Sequence, residues 1–142
     1  MLRILVPIDG SKSSERVVDY LIRQSGSYGA AGVELHLVNV QPAMSGRTSA
    51  LVSRSALKRY HQEEGERALK PARKRLDAAK VAYSHHISVG EPAEVIAGYI
   101  KELKCNQVAM GTRGMGTVSN LLLGSVATKV IHLSPVPILL VK

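Results

Sequence analysis

The chain begins with a compact apolar run, "RILVPI", closed by "DGS". A short unbroken apolar run that ends in turn residues reads as a buried strand, and serines directly after it are helix N-cap residues. Ser11 and Ser13 are the candidate caps. Val17, Val18, Leu21 and Ile22 then recur at helical spacing until "GSYGAAG" breaks the period. "VELHLVNV" reads as a second strand, ended by Pro42. Residues 41–52, "QPAMSGRTSALV", hold turn residues without a sustained period, which predicts a mobile loop leading into a long helix from about Ser53 to Ala79. Pro71 falls inside that helix and is expected to kink or divide it, because proline removes a hydrogen-bond donor and crowds the preceding turn.

"VAYSHHISV" alternates as a third strand, and "GEP" opens a helix whose apolar stripe is Val95, Ile96, Tyr99, Ile100 and Leu103. "QVAM" is a short fourth strand that runs straight into a cluster of glycines. A final helix is expected from roughly Gly124 to Leu133, and "VPILLV" closes the chain as a fifth strand. Alternation of five strands with four helices selects one parallel sheet covered on both faces by right-handed crossovers, in a single domain over residues 1–142. Ligands of such sheets bind beyond the carboxyl ends of the strands, where the winding direction reverses. Here those ends carry Pro7 to Gly10, Asn39 to Pro42 and Met110 to Gly116.

Composition narrows the function classes. Aromatic residues make up 4% of the chain, without Trp or Phe, so the core is built from aliphatic residues and base stacking as a route to single-stranded nucleic acid is disfavoured. The net charge of +8 raises the question of nucleic acid, but much of the excess lies in "ALKRYHQEEGERALKPARKRL", where Glu63, Glu64 and Glu66 interrupt the bases as on a solvated helix face. Apolar runs fall short of a membrane span and the N-terminus lacks the features of a secretory signal, which predicts a soluble cytoplasmic protein. Cys105, the single cysteine, excludes an internal disulfide framework and is expected to be a partly buried free thiol. No metal site is expected. Adjacent strand residues His85 and His86 point to opposite faces, and His61 and His132 lack partners at ligand spacing.

The glycine cluster, "GTRGMGTVSNLLLGSVA", spans residues 111–127. Glycines grouped after a strand serve either a tight turn or the close approach of a ligand to the main chain. Two familiar phosphate motifs fail. Gly111, Gly114 and Gly116 are spaced G-x-x-G-x-G, not G-x-G-x-x-G, and Thr117 stands where a Walker A loop requires lysine. Main-chain N–H groups in the Gly111–Gly114 turn, with the start of the helix near Gly124 and Ser125, nonetheless form a physically sensible phosphate cradle. Against this stand local roles: Asp9 as a cap of the first helix, Thr112, Thr117 and Ser119 as partners of turn amides, Met110 and Met115 as packing, and Arg113 as an exposed loop residue or a phosphate neutraliser.

Gly111, Gly114, Gly124 and Ser125 form G-x2-G-x9-G-S; with "PIDGS" after the first strand and "SPVPILLV" at the end, the chain resembles the universal stress protein family over its whole length, and specifically its ATP-binding branch. The resemblance implies a Rossmann-like α/β fold of the adenine nucleotide alpha hydrolase type, with strand order 3-2-1-4-5, that binds ATP with Mg2+. It implies Pro7, Asp9 and Val40 on the adenine and ribose side, Met110, Gly111, Thr112 and Gly114 along the ribose and first phosphate, Gly124, Ser125 and Val126 at the outer phosphates, and Ala43 and Met44 over the base. Asp9 is the candidate to touch a nucleotide-bound Mg2+. Asn39 and Asn106 depart from the family's frequent His and Asp without removing a phosphate donor. A homodimer paired through residues 136–141 is also implied, since an apolar terminal strand on a sheet edge calls for a cover. A nucleotide-dependent regulatory role with at most slow hydrolysis follows as the expectation. A slow ATPase or autophosphorylating enzyme, and a dimer that ignores nucleotide, are the alternatives.

Overall fold

A computed structural model describes residues 1–114 and 122–142. Five strands, β1 (Leu2–Pro7), β2 (Val33–Gln41), β3 (Tyr83–Val89), β4 (Gln107–Gly111) and β5 (Ile138–Val141), form one sheet in the order β3-β2-β1-β4-β5. All paired strands are parallel, in the register Ile4 to Leu35 and Gln107, and Leu37 to His85. The expected order and the Rossmann-like α/β class therefore hold. The chain winds outward from β1 in both directions, so β1 and β4 flank the point where the winding reverses.

Helices α1 (Lys12–Gln24), α2 (Gly46–Ser49), α3 (Arg54–Ala78), α4 (Pro92–Glu102) and α5 (Ser125–Leu133) make the crossovers. The one-turn α2 lies in the stretch expected to be an irregular loop; Ser45 caps it by accepting from Thr48 N, a local bond that needs no apolar period. Pro71 does not divide α3, which runs unbroken through 25 residues. The helix is held instead by its buried side, His61, Gly65, Leu69, Ala72 and Leu76, whose packing outweighs the loss of one backbone donor. Gly65 permits a close approach to the sheet: a Cβ there would stand 2.5 Å from Ile87 Cγ2 of β3.

Two apolar layers result. Ile4, Val6, Leu35 and Leu37 meet Val17, Leu21, Leu69 and Leu76 of α1 and α3 on one face. Leu5, Val38, Val108 and Met110 meet Ile96, Ile100, Ala127 and Val130 of α4 and α5 on the other. None of the helices among the described residues is long and apolar enough to cross a membrane.

Candidate functional site

A cleft of about 230 Å3 opens at the carboxyl ends of β1 and β4, on the α4 and α5 side of the sheet. Alternation along the strands decides which side chains reach it. Val38 and Val40 point into it from β2, whereas the intervening Asn39 is buried on the opposite face and donates from Nδ2 to Ile8 O at 2.8 Å. Asn106 is likewise remote from the cleft: its Oδ1 accepts from Arg3 N and its own N–H donates to Arg3 O, both at 2.8 Å, which clamps β1 to the start of β4. Both asparagines are parts of the scaffold.

Of the ten residues singled out from the sequence, Pro7, Asp9, Val40, Met110, Gly111, Gly114, Gly124, Ser125 and Val126 line the cleft together. Thr112 does not; its carbonyl accepts from Gly124 N at 2.6 Å and so ties the glycine turn to the start of α5. Ala43 and Met44 are also absent from the lining, while Ile8, Ser14, Pro92, Ile96, Arg113 and Ala127 join it. The additional apolar residues belong to stripes whose core role was legible, but only the crossover of α4 over the sheet turns Pro92 and Ile96 toward the cleft. Met115, Gly116, Thr117 and Ser119 lie outside the described residues.

The glycines have different reasons. At Gly111 a Cβ would fall 2.2 Å from Ser13 Oγ, so this glycine admits the first turn of α1 against β4. At Gly114 a Cβ would fall 2.8 Å from Asp9 Oδ2; the Asp9 carboxylate, whose Oδ1 accepts from Ser11 N at 2.9 Å, thus leans from the β1 turn onto the glycine turn. At Gly124 the nearest atoms to a Cβ are Arg113 Cα and Thr112 O, both at 3.5 Å, an ordinary contact distance. Its backbone, φ −73° and ψ 165°, suits any residue. The protein's own packing therefore requires Gly111, whose Cβ would also crowd the Ser13 backbone; at Gly114 only the Asp9 carboxylate would have to move, and Gly124 is under no such constraint.

Capping sets the electrostatics. Ser11, Ser45, Ser53 and Glu91 each accept a backbone N–H at the start of α1, α2, α3 and α4. Helix α5 starts at Gly124 without a side-chain cap among the described residues, and that start faces the cleft. The first N–H groups of a helix carry its positive dipole end, so the cleft presents donors suited to an anion, with Arg113 and Asp9 as its charged lining residues.

The histidine pair of β3 divides between the two faces of the sheet. His85 and His86 do face opposite ways, His85 toward Glu66 of α3 at 3.8 Å and His86 toward His36 of β2, a residue the sequence did not single out. Its signal was the alternation of "ELHLVN", which puts His36 on the α4 side of the sheet. His61 is buried with neither ring nitrogen hydrogen-bonded among the described residues. No group of three or more metal-ligating side chains occurs among the described residues. Cys105 is more deeply buried than expected, and that burial pushes its thiol above the usual cysteine value.

Comparison with known proteins agrees with this architecture. The profile of the Universal stress protein family matches residues 1–142. The chain is 30% identical over 140 residues to the universal stress protein MJ0531 of Methanocaldococcus jannaschii, covering 99% of this chain and 81% of that one. The solved structure of UspA from Lactobacillus plantarum superposes with a TM-score of 0.83 at 20% identity, covering 99% of this chain and 97% of that one. A universal stress protein solved in complex with cAMP superposes with a TM-score of 0.71 at 26% identity, over 99% of this chain and 97% of that one. Two further structural neighbours, from Arabidopsis thaliana and Archaeoglobus fulgidus, were solved with AMP and dAMP respectively.

Proposed function

This chain belongs to the universal stress protein family, and from that premise we propose that it binds an adenine nucleotide, ATP with Mg2+ foremost, in the cleft at the ends of β1 and β4. The observation that carries the reading is the uncapped start of α5. Among the described residues, four α-helices complete their N-termini with their own cap side chains, and α5, which does not, opens on a cleft flanked by an arginine and by a glycine at which a Cβ would meet only ordinary contacts. The cAMP complex of a relative supports the same ligand class.

In this reading Ser125 and Val126 N–H groups, with the Gly114 turn, hold phosphate oxygens, and Arg113 offsets their charge. Gly124 N is already committed to Thr112 O, so its part is to leave room rather than to donate. Pro7, Val38, Val40 and Ile96 give the base and ribose an apolar wall. Mg2+, when bound, neutralises charge between phosphates, and Asp9 is the carboxylate placed to help hold it. These residues bind and orient; hydrolysis is at most slow, and the output is a nucleotide-dependent regulatory homodimer in the cytoplasmic stress response. Dimerisation runs through residues 136–141, where β5 forms an edge of the sheet beside exposed Ile131 and Leu133.

The test is a calorimetric titration of the purified protein with ATP plus Mg2+, AMP and cAMP, with nucleotide carried through purification identified by mass spectrometry after denaturation. Saturable binding of at least one, lost on Gly124→Asp, is expected. A folded protein that takes up none of them overturns the reading.

A further inference from the structure

On the cleft side of the sheet, β3 carries Ser84, His86 and Ser88 in place of an apolar row. His86 Nε2 lies 3.5 Å from His36 Nδ1, the rings are stacked with centroids 5.7 Å apart, and Ser84 Oγ is 2.8 Å from the same His36 nitrogen. On its other side His36 Nε2 lies 2.8 Å from Glu34 Oε1, an ion-pair distance without the alignment of a hydrogen bond, and Glu34 in turn meets Arg3 at 3.5 Å. The second ring also packs on α4: the His86 and Tyr99 centroids are 5.2 Å apart, and Tyr99 Oη is 2.5 Å from Ser88 Oγ. The polar row of an edge strand is thus joined to α4, whose first two turns supply Pro92 and Ile96 to the cleft.

We propose that the facing imidazoles of His36 and His86 form a proton-responsive joint between β3 and α4, and that charging both rings loosens α4 and weakens ligand binding in the cleft. The regulatory half of this rests on the nucleotide reading above; the joint itself does not. With one nitrogen of the facing pair unprotonated, a donor meets an acceptor and the contact is satisfied. With both rings charged, N–H meets N–H and two positive charges stand side by side in a half-buried seam. Burial, His36 and His85 together hold His86 below the usual imidazole value, against the smaller opposing pull of Glu102 on α4. The remaining titratable neighbours are Tyr99 and, behind Glu34, Cys105. The folded protein therefore binds fewer protons at His86 than the unfolded chain, and stability is present above about pH 6.5 and lost as the pH falls below it.

The full-length protein is titrated with cAMP at pH 7.5 and pH 5.5, because its phosphodiester keeps one charge across that range. His86→Gln, which retains a donor near the Nε2 position, and His36→Gln are measured alongside, with thermal melting at both pH values. The expected result is an affinity at pH 5.5 lower by about tenfold in the wild type, and a melting temperature that drops more in the wild type than in either variant. Equal pH dependence of melting in the wild type and a folded variant overturns the joint. If cAMP does not bind at either pH, the regulatory claim falls, the nucleotide reading stands or falls on the titrations with ATP and AMP, and the melting comparison still decides the joint. If cAMP binds with an affinity that does not change with pH, the coupling to the cleft falls while the nucleotide reading stands.

Discussion

Helices α1 and α5 begin at the same end of the sheet, on the two sides of one cleft, yet they finish their first turns in opposite ways. Ser11 accepts from Ser14 N at 3.2 Å, and Asp9 accepts from Ser11 N, so the start of α1 is closed by its own loop. The start of α5 has Gly124 at the cap position and, among the described residues, no side-chain cap. Equal backbone geometry thus yields a structural terminus in one case and, in the reading proposed above, an anion site in the other. The difference lies in a single side chain at the cap.

The strongest way to break the contrast is to give α5 the cap that α1 has. Gly124→Asp places a carboxylate over the donors assigned to phosphate, and loss of two charge-assisted hydrogen bonds at about 1.5–3 kcal/mol each predicts nucleotide affinity reduced by about 100-fold or more. The same variant should melt no lower than the wild type, since Asp is a favoured cap and a Cβ there meets nothing closer than 3.5 Å. Calorimetry and thermal melting read the two effects separately. Gly111→Ala probes the opposite kind of glycine. Its Cβ collides with Ser13 Oγ, and urea unfolding should show a loss of about 1–3 kcal/mol, partly recovered when Ser13→Ala is added.

Removing the cap of α1 has a smaller effect. Ser11→Ala should cost about 1 kcal/mol in urea unfolding, with less effect on nucleotide affinity than Gly124→Asp. The smallest effect concerns α4, capped by a charged residue. Hydrogen bonding from Glu94 N holds the Glu91 carboxyl below its usual value, so its contribution is present above about pH 4.5 and lost as the pH falls further. Glu91→Gln should flatten that part of the acid unfolding profile. An unchanged profile would mean the cap works through its hydrogen bond alone.

Much of this was legible because the signals are local. The apolar runs of β1 and β2, the period of α1 and the proline at the start of α4 each report their own element, and "PIDGS" with the spaced glycines located the cleft before any coordinates. Thr112, implied as a contact by the family resemblance, stands outside the cleft lining, and its carbonyl is spent on Gly124. Pro71 misled because a local helix breaker was weighed without the buried face that holds α3 together. The role of His36 was hidden, since its partners Ser84 and His86 are 48 and 50 residues away.

By itself the sequence determined the alternation of strands and helices, the parallel α/β class and the family, because hydrophobic period and glycine spacing act over a few residues at a time. Tertiary structure alone decided which glycine the packing requires, since that depends on whether a side chain such as Ser13, about a hundred residues earlier in the chain, occupies the place of a Cβ. It also decided that two histidines from different strands share a seam under α4, because strand register, which no short stretch encodes, brings their rings together.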